Sequence, residues 1–174
     1  MNSATLEIPS ATAPLGRALA GKYLIFSLGS ISCGISLLFT QEILQIPQVA
    51  SLPHVPDYVR GVINLRGMIL PVIDLSLRLR LSYGVSEEQA SVIVVRVNPS
   101  GGHSTHVGLM VDDVEDIVEL KGDEIEQASG FGSLFPSDCI LGMAKIRGRV
   151  KPLLDLDAIL FADPLESGST FASY

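Results

Sequence analysis

At 174 residues and a formal charge of −7, the chain has the size of one ordinary domain and can bury roughly 70% of the surface its unfolded form exposes. The acidic balance argues against nucleic acid as a partner, since such binding needs clustered Lys and Arg to displace counterions from a phosphate backbone. The two cysteines, Cys33 and Cys139, form no CxxC pair, so they predict neither a zinc site nor a redox motif and read as free thiols in a reducing compartment.

Met1 to Ala20 carries one basic residue, Arg17, and no apolar centre, so it lacks the pattern of a signal peptide and reads as a flexible tail. A second tail is expected over 164–174, which leaves 21–163 as the folded part. Tyr23 to Gln41 is uncharged and approaches the length of a membrane span. Gly29, Gly34 and the serines Ser27, Ser30, Ser32 and Ser36 interrupt it, however, and Gly-Ser pairs between apolar runs mark turns, so no membrane insertion is expected.

Short runs rich in Val, Ile, Leu and Phe follow one another between Gly and Pro signals. They cover Tyr23 to Leu28, Ile31 to Ile35, Ile43 to Ile46, Val62 to Leu65, Met68 to Ile73, Ser91 to Val97, His106 to Val111, Val114 to Leu120, Cys139 to Ile146 and Arg149 to Leu154. Such a density of short strands predicts a mainly β fold, a barrel or a sandwich. Helices are few: a short turn near Pro56 to Arg60, and segments after Asp74 and Asp155, each aspartate capping the helix it precedes.

One stretch repeats. Gly61-Val-Ile-Asn-Leu-Arg-Gly-Met-Ile-Leu-Pro-Val-Ile-Asp-Leu75 realigns without gaps on Gly142-Met-Ala-Lys-Ile-Arg-Gly-Arg-Val-Lys-Pro-Leu-Leu-Asp-Leu156, with Gly61, Arg66, Gly67, Pro71, Asp74 and Leu75 matched identically. A weaker match sets Gly34 to Leu44 on Gly108 to Val118, and so Glu42 on Asp116. Each strong repeat spells strand, tight turn at Arg-Gly, strand, helix. Gly67 and Gly148 supply the positive φ of a hairpin turn, while Pro71 and Pro152 cannot donate to a ladder and favour an edge or a bulge. Two small barrels packed together follow.

Asp112 to Glu126 holds eight carboxylates and one lysine, Lys121, in the pattern of a solvated face without the order of an EF-hand loop. His103 and His106 form an HxxH without further ligands at metal-binding spacing, and His54 lies between prolines. Asp74 and Asp155 invite comparison with a carboxylate pair sharing a proton, an aspartate-dependent hydrolase, but the residues that follow are Leu75-Ser76 and Leu156-Asp157, and helix capping explains both better. No catalytic residue, cofactor or metal ligand is visible.

The Asn64-Leu-Arg-Gly67 hairpin and the run from Ile69 to Leu75 closely resemble the CheW family of chemotaxis coupling proteins. Tyr23 to Phe26, Gly34 to Ser36, Gln41 to Ile43, Gly108 to Val114 and the second Arg-Gly hairpin extend the resemblance from about Lys22 to Phe161. It implies two five-stranded SH3-like β-barrels packed around a shared core with short helices. It further implies a non-enzymatic, cytoplasmic adaptor associated with membrane receptor arrays, which binds the regulatory domain of a CheA-type histidine kinase and takes the cytoplasmic tip of a chemoreceptor in a groove. An adaptor of a parallel pathway serving pili, surface sensing or development has the same fold. By resemblance, Arg66, Glu42 and Thr40 are receptor contacts, although Thr40 occupies a spot that is usually apolar in the family. Read without the family, Arg66 is a solvated turn residue, Arg147 a structural counterpart, and Glu42 the outward member of an alternating strand.

Overall fold

A computed structural model describes residues 15–45, 47–99, 102–128 and 137–161. In chain order the strands are β1 (Gly21–Leu28), β2 (Ile31–Ser36), β3 (Thr40–Gln45), β4 (Val59–Leu65), β5 (Met68–Asp74), β6 (Ser91–Val97), β7 (Thr105–Val111), β8 (Asp113–Leu120), β9 (Ile125–Glu126), β10 (Ile140–Ile146) and β11 (Arg149–Leu154). Among the described residues three short α-helices accompany them: α1 (Leu15–Leu19), α2 (Leu75–Arg78) and α3 (Leu156–Phe161). Among the described residues no helix is long and apolar enough to cross a membrane, and the uncharged stretch from Tyr23 forms β1, β2 and the start of β3.

The strands make two sheets, ordered β3-β6-β7-β5-β4 and β8-β1-β2-β11-β10-β9. The first is continuous in sequence. The second takes β1 and β2 from before it and β8 to β11 from after it, so the chain leaves the second sheet after β2 and returns at β8. The mainly β class and the two matched sheets agree with the sequence expectation. The second sheet has a sixth strand, the two-residue β9, and the hydrogen-bonded ladders are open rather than closed.

The repeats occupy equivalent places. β5 runs parallel to β7 with Val72 opposite Gly108, and β11 runs parallel to β2 with Leu153 opposite Gly34. Both glycines serve close approach: a Cβ on Gly108 would lie 2.8 Å from Val92 Cγ1, and one on Gly34 3.0 Å from the δ-carbons of Ile25 and Leu153. Pro71 and Pro152 are not on edge strands, because β5 and β11 both lie inside their sheets. Each instead sits one pair from a register shift and one residue before parallel pairing begins, where a missing donor is tolerated.

Burial explains why β1 and β6 read as unbroken apolar runs. Tyr23 and Ile25 fill the interior of the second sheet, while Leu24, Phe26 and Leu28 on the opposite face join a central cluster. Likewise Val92 and Val94 fill the first sheet, and Ile93, Val95 and Val97 face the centre. With both faces covered, period-two alternation of polar residues disappears. Two differences stand against the sequence reading. Pro56 to Val59 is a single hydrogen-bonded turn that leads straight into β4, not a helix. Leu15–Leu19, assigned to a tail, forms α1, and Leu19 packs against the second sheet's interior. The expectations for 1–14 and 164–174, and for Ile46 as a strand end, lie outside the described residues.

Candidate functional site

The tip of the β4–β5 hairpin is a two-residue turn with φ 51° at Arg66 and 85° at Gly67, the double positive φ of a type I′ turn. Its twist matches that of the flanking strands, and the Gly67 N–H donates to Asn64 Oδ1 at 2.9 Å. From this tip Arg66 reaches across to β3. Its Nη1 and Nη2 donate to Glu42 Oε1 and Oε2 at 2.8 and 3.0 Å, a bidentate pair. Because β3 and β4 are the two outer strands of the first sheet, the pair ties those strands together.

Thus the two residues singled out by resemblance meet. Glu42, however, is the inward member of β3: its side chain is 26% exposed against 76% for Arg66, and it is the neighbouring Ile43 that faces water. The alternating pattern is inverted because the guanidinium satisfies the carboxylate on the inner side. Exposed Ile43, Met68 and Ile69 flank the pair along the chain, and no sequence signal separates them from core residues.

Thr40, two residues before Glu42, is half-buried, and its Oγ1 lies buried with no hydrogen-bond partner. The hydroxyl occupies a place suited to a methyl group. Just ahead of it, Leu37, Leu38 and Phe39 line a groove of about 490 Å³ together with Leu19, Tyr23 and Leu141. Leu38 stands fully out into it, 90% exposed.

The second hairpin repeats the first. Arg147 and Gly148 have φ 50° and 76°, and Arg147 Nη2 donates to Asp116 Oδ2 at 2.8 Å, the residue that the weaker repeat sets on Glu42. Here too the acid is half-buried and the isoleucine beside it, Ile117, is exposed. Gly67 and Gly148 therefore hold the turn geometry expected of them.

The acidic segment is largely solvated, as its composition suggests, but several of its carboxylates are paired. Glu115 accepts from Ser32 Oγ at 2.6 Å and from Lys151 Nζ at 3.1 Å, Glu126 accepts from Lys145 at 2.6 Å, and Asp112 binds the Gly29 N–H. Partial burial pushes the Glu115 carboxyl up, but the bonds from Ser32 and Lys151 and the charges of Lys151 and Arg149 outweigh it and hold the group below the usual carboxylate range.

Asp74 is fully buried and caps α2: Oδ1 accepts the Leu77 N–H at 3.1 Å, while Oδ2 accepts from Arg60 Nη2 at 2.7 Å, Arg60 Nε at 3.1 Å and the Val85 N–H at 2.9 Å. Asp155 caps α3 by accepting the Ala158 N–H at 3.1 Å. Both aspartates are structural, and the Arg60 partner is a contact that the sequence does not signal. Cys33 and Cys139 are free thiols. Burial, and then the charge of Glu115, push Cys33 up to about 12, so it is inert as a nucleophile. Among the described residues no group of three or more His, Cys, Asp or Glu could hold a metal ion.

Comparison with known proteins agrees with this architecture. The model of the CheW-like domain matches residues 22–163. The chain is 32% identical over 150 residues to the chemotaxis protein CheW of Klebsiella aerogenes, covering 86% of this chain and 87% of that one. It is also 32% identical over 148 residues to the CheW of Rhizobium meliloti, covering 84% and 92%. Among solved structures, the scaffolding protein TtCheW of Thermoanaerobacter tengcongensis superposes with a TM-score of 0.71 at 26% identity, over 83% of this chain and 94% of that one. With its two matched sheets and paired Arg-Gly tips, this chain belongs to the CheW-like family of chemotaxis scaffold proteins.

Proposed function

We propose that the chain is a non-enzymatic adaptor that couples chemoreceptors to a CheA-type histidine kinase, with the receptor's cytoplasmic tip contacting Arg66, Glu42 and Thr40. The observation that carries this reading is the bidentate Arg66–Glu42 pair held at a hairpin tip among exposed Ile43, Met68 and Ile69. A charged pair with exposed apolar side chains beside it along the chain suits a helical partner that supplies both apolar contact and hydrogen bonds. The Arg66 side chain remains 76% exposed, so a partner carboxylate or carbonyl can share its guanidinium without breaking the pair. The kinase regulatory domain binds elsewhere on the barrels, and the complex sits in the cytoplasm beside the receptor membrane.

The test separates interface from fold. Arg66→Glu leaves the glycine turn intact but sets two carboxylates together, so stability should fall by no more than about 1 kcal/mol, the scale of an exposed pair. Affinity for a receptor hairpin fragment should fall by about 2–5 kcal/mol, while binding to the kinase regulatory domain changes much less. Exchanging the charges, Glu42→Arg with Arg66→Glu, should restore stability without restoring receptor binding. Unchanged receptor affinity for Arg66→Glu would remove Arg66 from the site, and equal losses for both partners would mean indirect damage.

A further inference from the structure

The two hairpin tips match in turn geometry, in their Arg–acid pair and in the exposed isoleucine beside the acid, yet they differ at the residue that opens the turn. In the first tip Asn64 Oδ1 accepts the Gly67 N–H. The repeat places Lys145 at that position, where the ammonium has no acceptor to offer the Gly148 N–H and is drawn aside to Glu126. The arginines differ accordingly: Arg66 makes two parallel bonds to its carboxylate, and Arg147 makes one.

Arginine at φ 51° sits in a region that side-chain-bearing residues adopt at a cost. Both tips hold the positive-φ pair, but the bond that the Gly67 N–H donates to Asn64 Oδ1 adds a restraint that the second tip lacks and so narrows the directions in which Arg66 leaves the backbone. A tip fixed before binding loses less conformational freedom when a partner arrives. We propose that Asn64 is a positioning residue for Arg66 and thereby selects the first of two otherwise matched tips as the one that takes the receptor. The inference rests on the reading of Arg66 as a receptor contact, and its test keeps the two apart.

Affinity for a receptor cytoplasmic-hairpin fragment is measured on the full chain as wild type, Asn64→Ala, Asn64→Asp, Arg66→Ala, the double variant Asn64→Ala with Arg66→Ala, and Arg147→Ala. Asn64→Ala should weaken binding roughly three- to tenfold, the factor that corresponds to one hydrogen bond. Asn64→Asp should recover most of it, because a carboxylate oxygen accepts the same N–H. Once Arg66 is gone, loss of Asn64 should cost nothing further, and Arg147→Ala should bind as wild type. A double variant weaker than Arg66→Ala by the full Asn64 factor would show that Asn64 touches the partner itself or merely supports the fold, and would overturn the proposal. So would Arg147→Ala binding as poorly as Arg66→Ala. Wild-type affinity for Arg66→Ala sinks the contact reading and this inference together, whereas loss for Arg66→Ala with none for Asn64→Ala sinks the inference alone.

Discussion

Thr40 and Gly67 are under opposite constraints, and each gives a measurable consequence. The Thr40 hydroxyl is desolvated without a hydrogen-bond partner, so an isosteric methyl should be better there. Thr40→Val is expected to raise stability by about 1 kcal/mol, the lower end of the cost of a buried unsatisfied polar group, as a shift in urea midpoint with unchanged slope. A destabilised variant would mean that the hydroxyl has a partner. At Gly67 an added Cβ would meet nothing within 4 Å, so its φ of 85° alone sets the cost. Gly67→Val should lose about 1–3 kcal/mol, because a β-branched residue fits a left-handed turn poorly. Gly67→Asn should lose much less, since Asn tolerates that region. Equal losses for the two would show that the turn does not keep its positive φ.

Among the elements, strands are legible in the sequence where packing is simple. β1 and β6 announce themselves as β-branched and aromatic runs because both of their faces are buried. β3 is legible as a strand, but its facing is not. Alternation assumes that the charged residue meets water, whereas Glu42 turns inward to an arginine that only the meeting of two sheet edges brings near. Asp116 is paired in the same way, by an arginine from a hairpin distant in sequence. α1 is the opposite case: five residues are too short to form a helix alone, and Leu19 holds it by packing on the second sheet while the Tyr23 hydroxyl donates to the Leu19 carbonyl at 2.6 Å. A chain beginning at Gly21 should therefore be less stable than one beginning at Leu15 by about 1 kcal/mol, the scale of a half-buried leucine. Identical melting temperatures for the two chains would show that α1 adds nothing.

At the scale of the whole molecule the repeat reveals two equivalent sheets but not how the chain shares them out, because sequence equivalence carries no information about which strands pair. The exchange after β2 and again at β8 has a physical consequence. The central cluster takes Leu24, Phe26, Leu28, Cys33 and Ile35 from one sheet and Ile73, Ile93, Val95, Leu109 and Val111 from the other, all of them buried. Neither sheet can open without exposing apolar surface of both, so the two should unfold as one unit in spite of their separate interiors. Leu109, on β7, is fully buried in this shared cluster, and Leu109→Ala should cost about 2–5 kcal/mol. The informative readout is where that cost falls. Native-state hydrogen exchange should show the amides of β1 and β2, which lie in the other sheet, losing protection by the same free energy as those of β6 and β7. If protection fell in the five-stranded sheet while β1 and β2 kept theirs, the sheets would be separate cooperative units, and the shared cluster would be an interface between two domains rather than a common core.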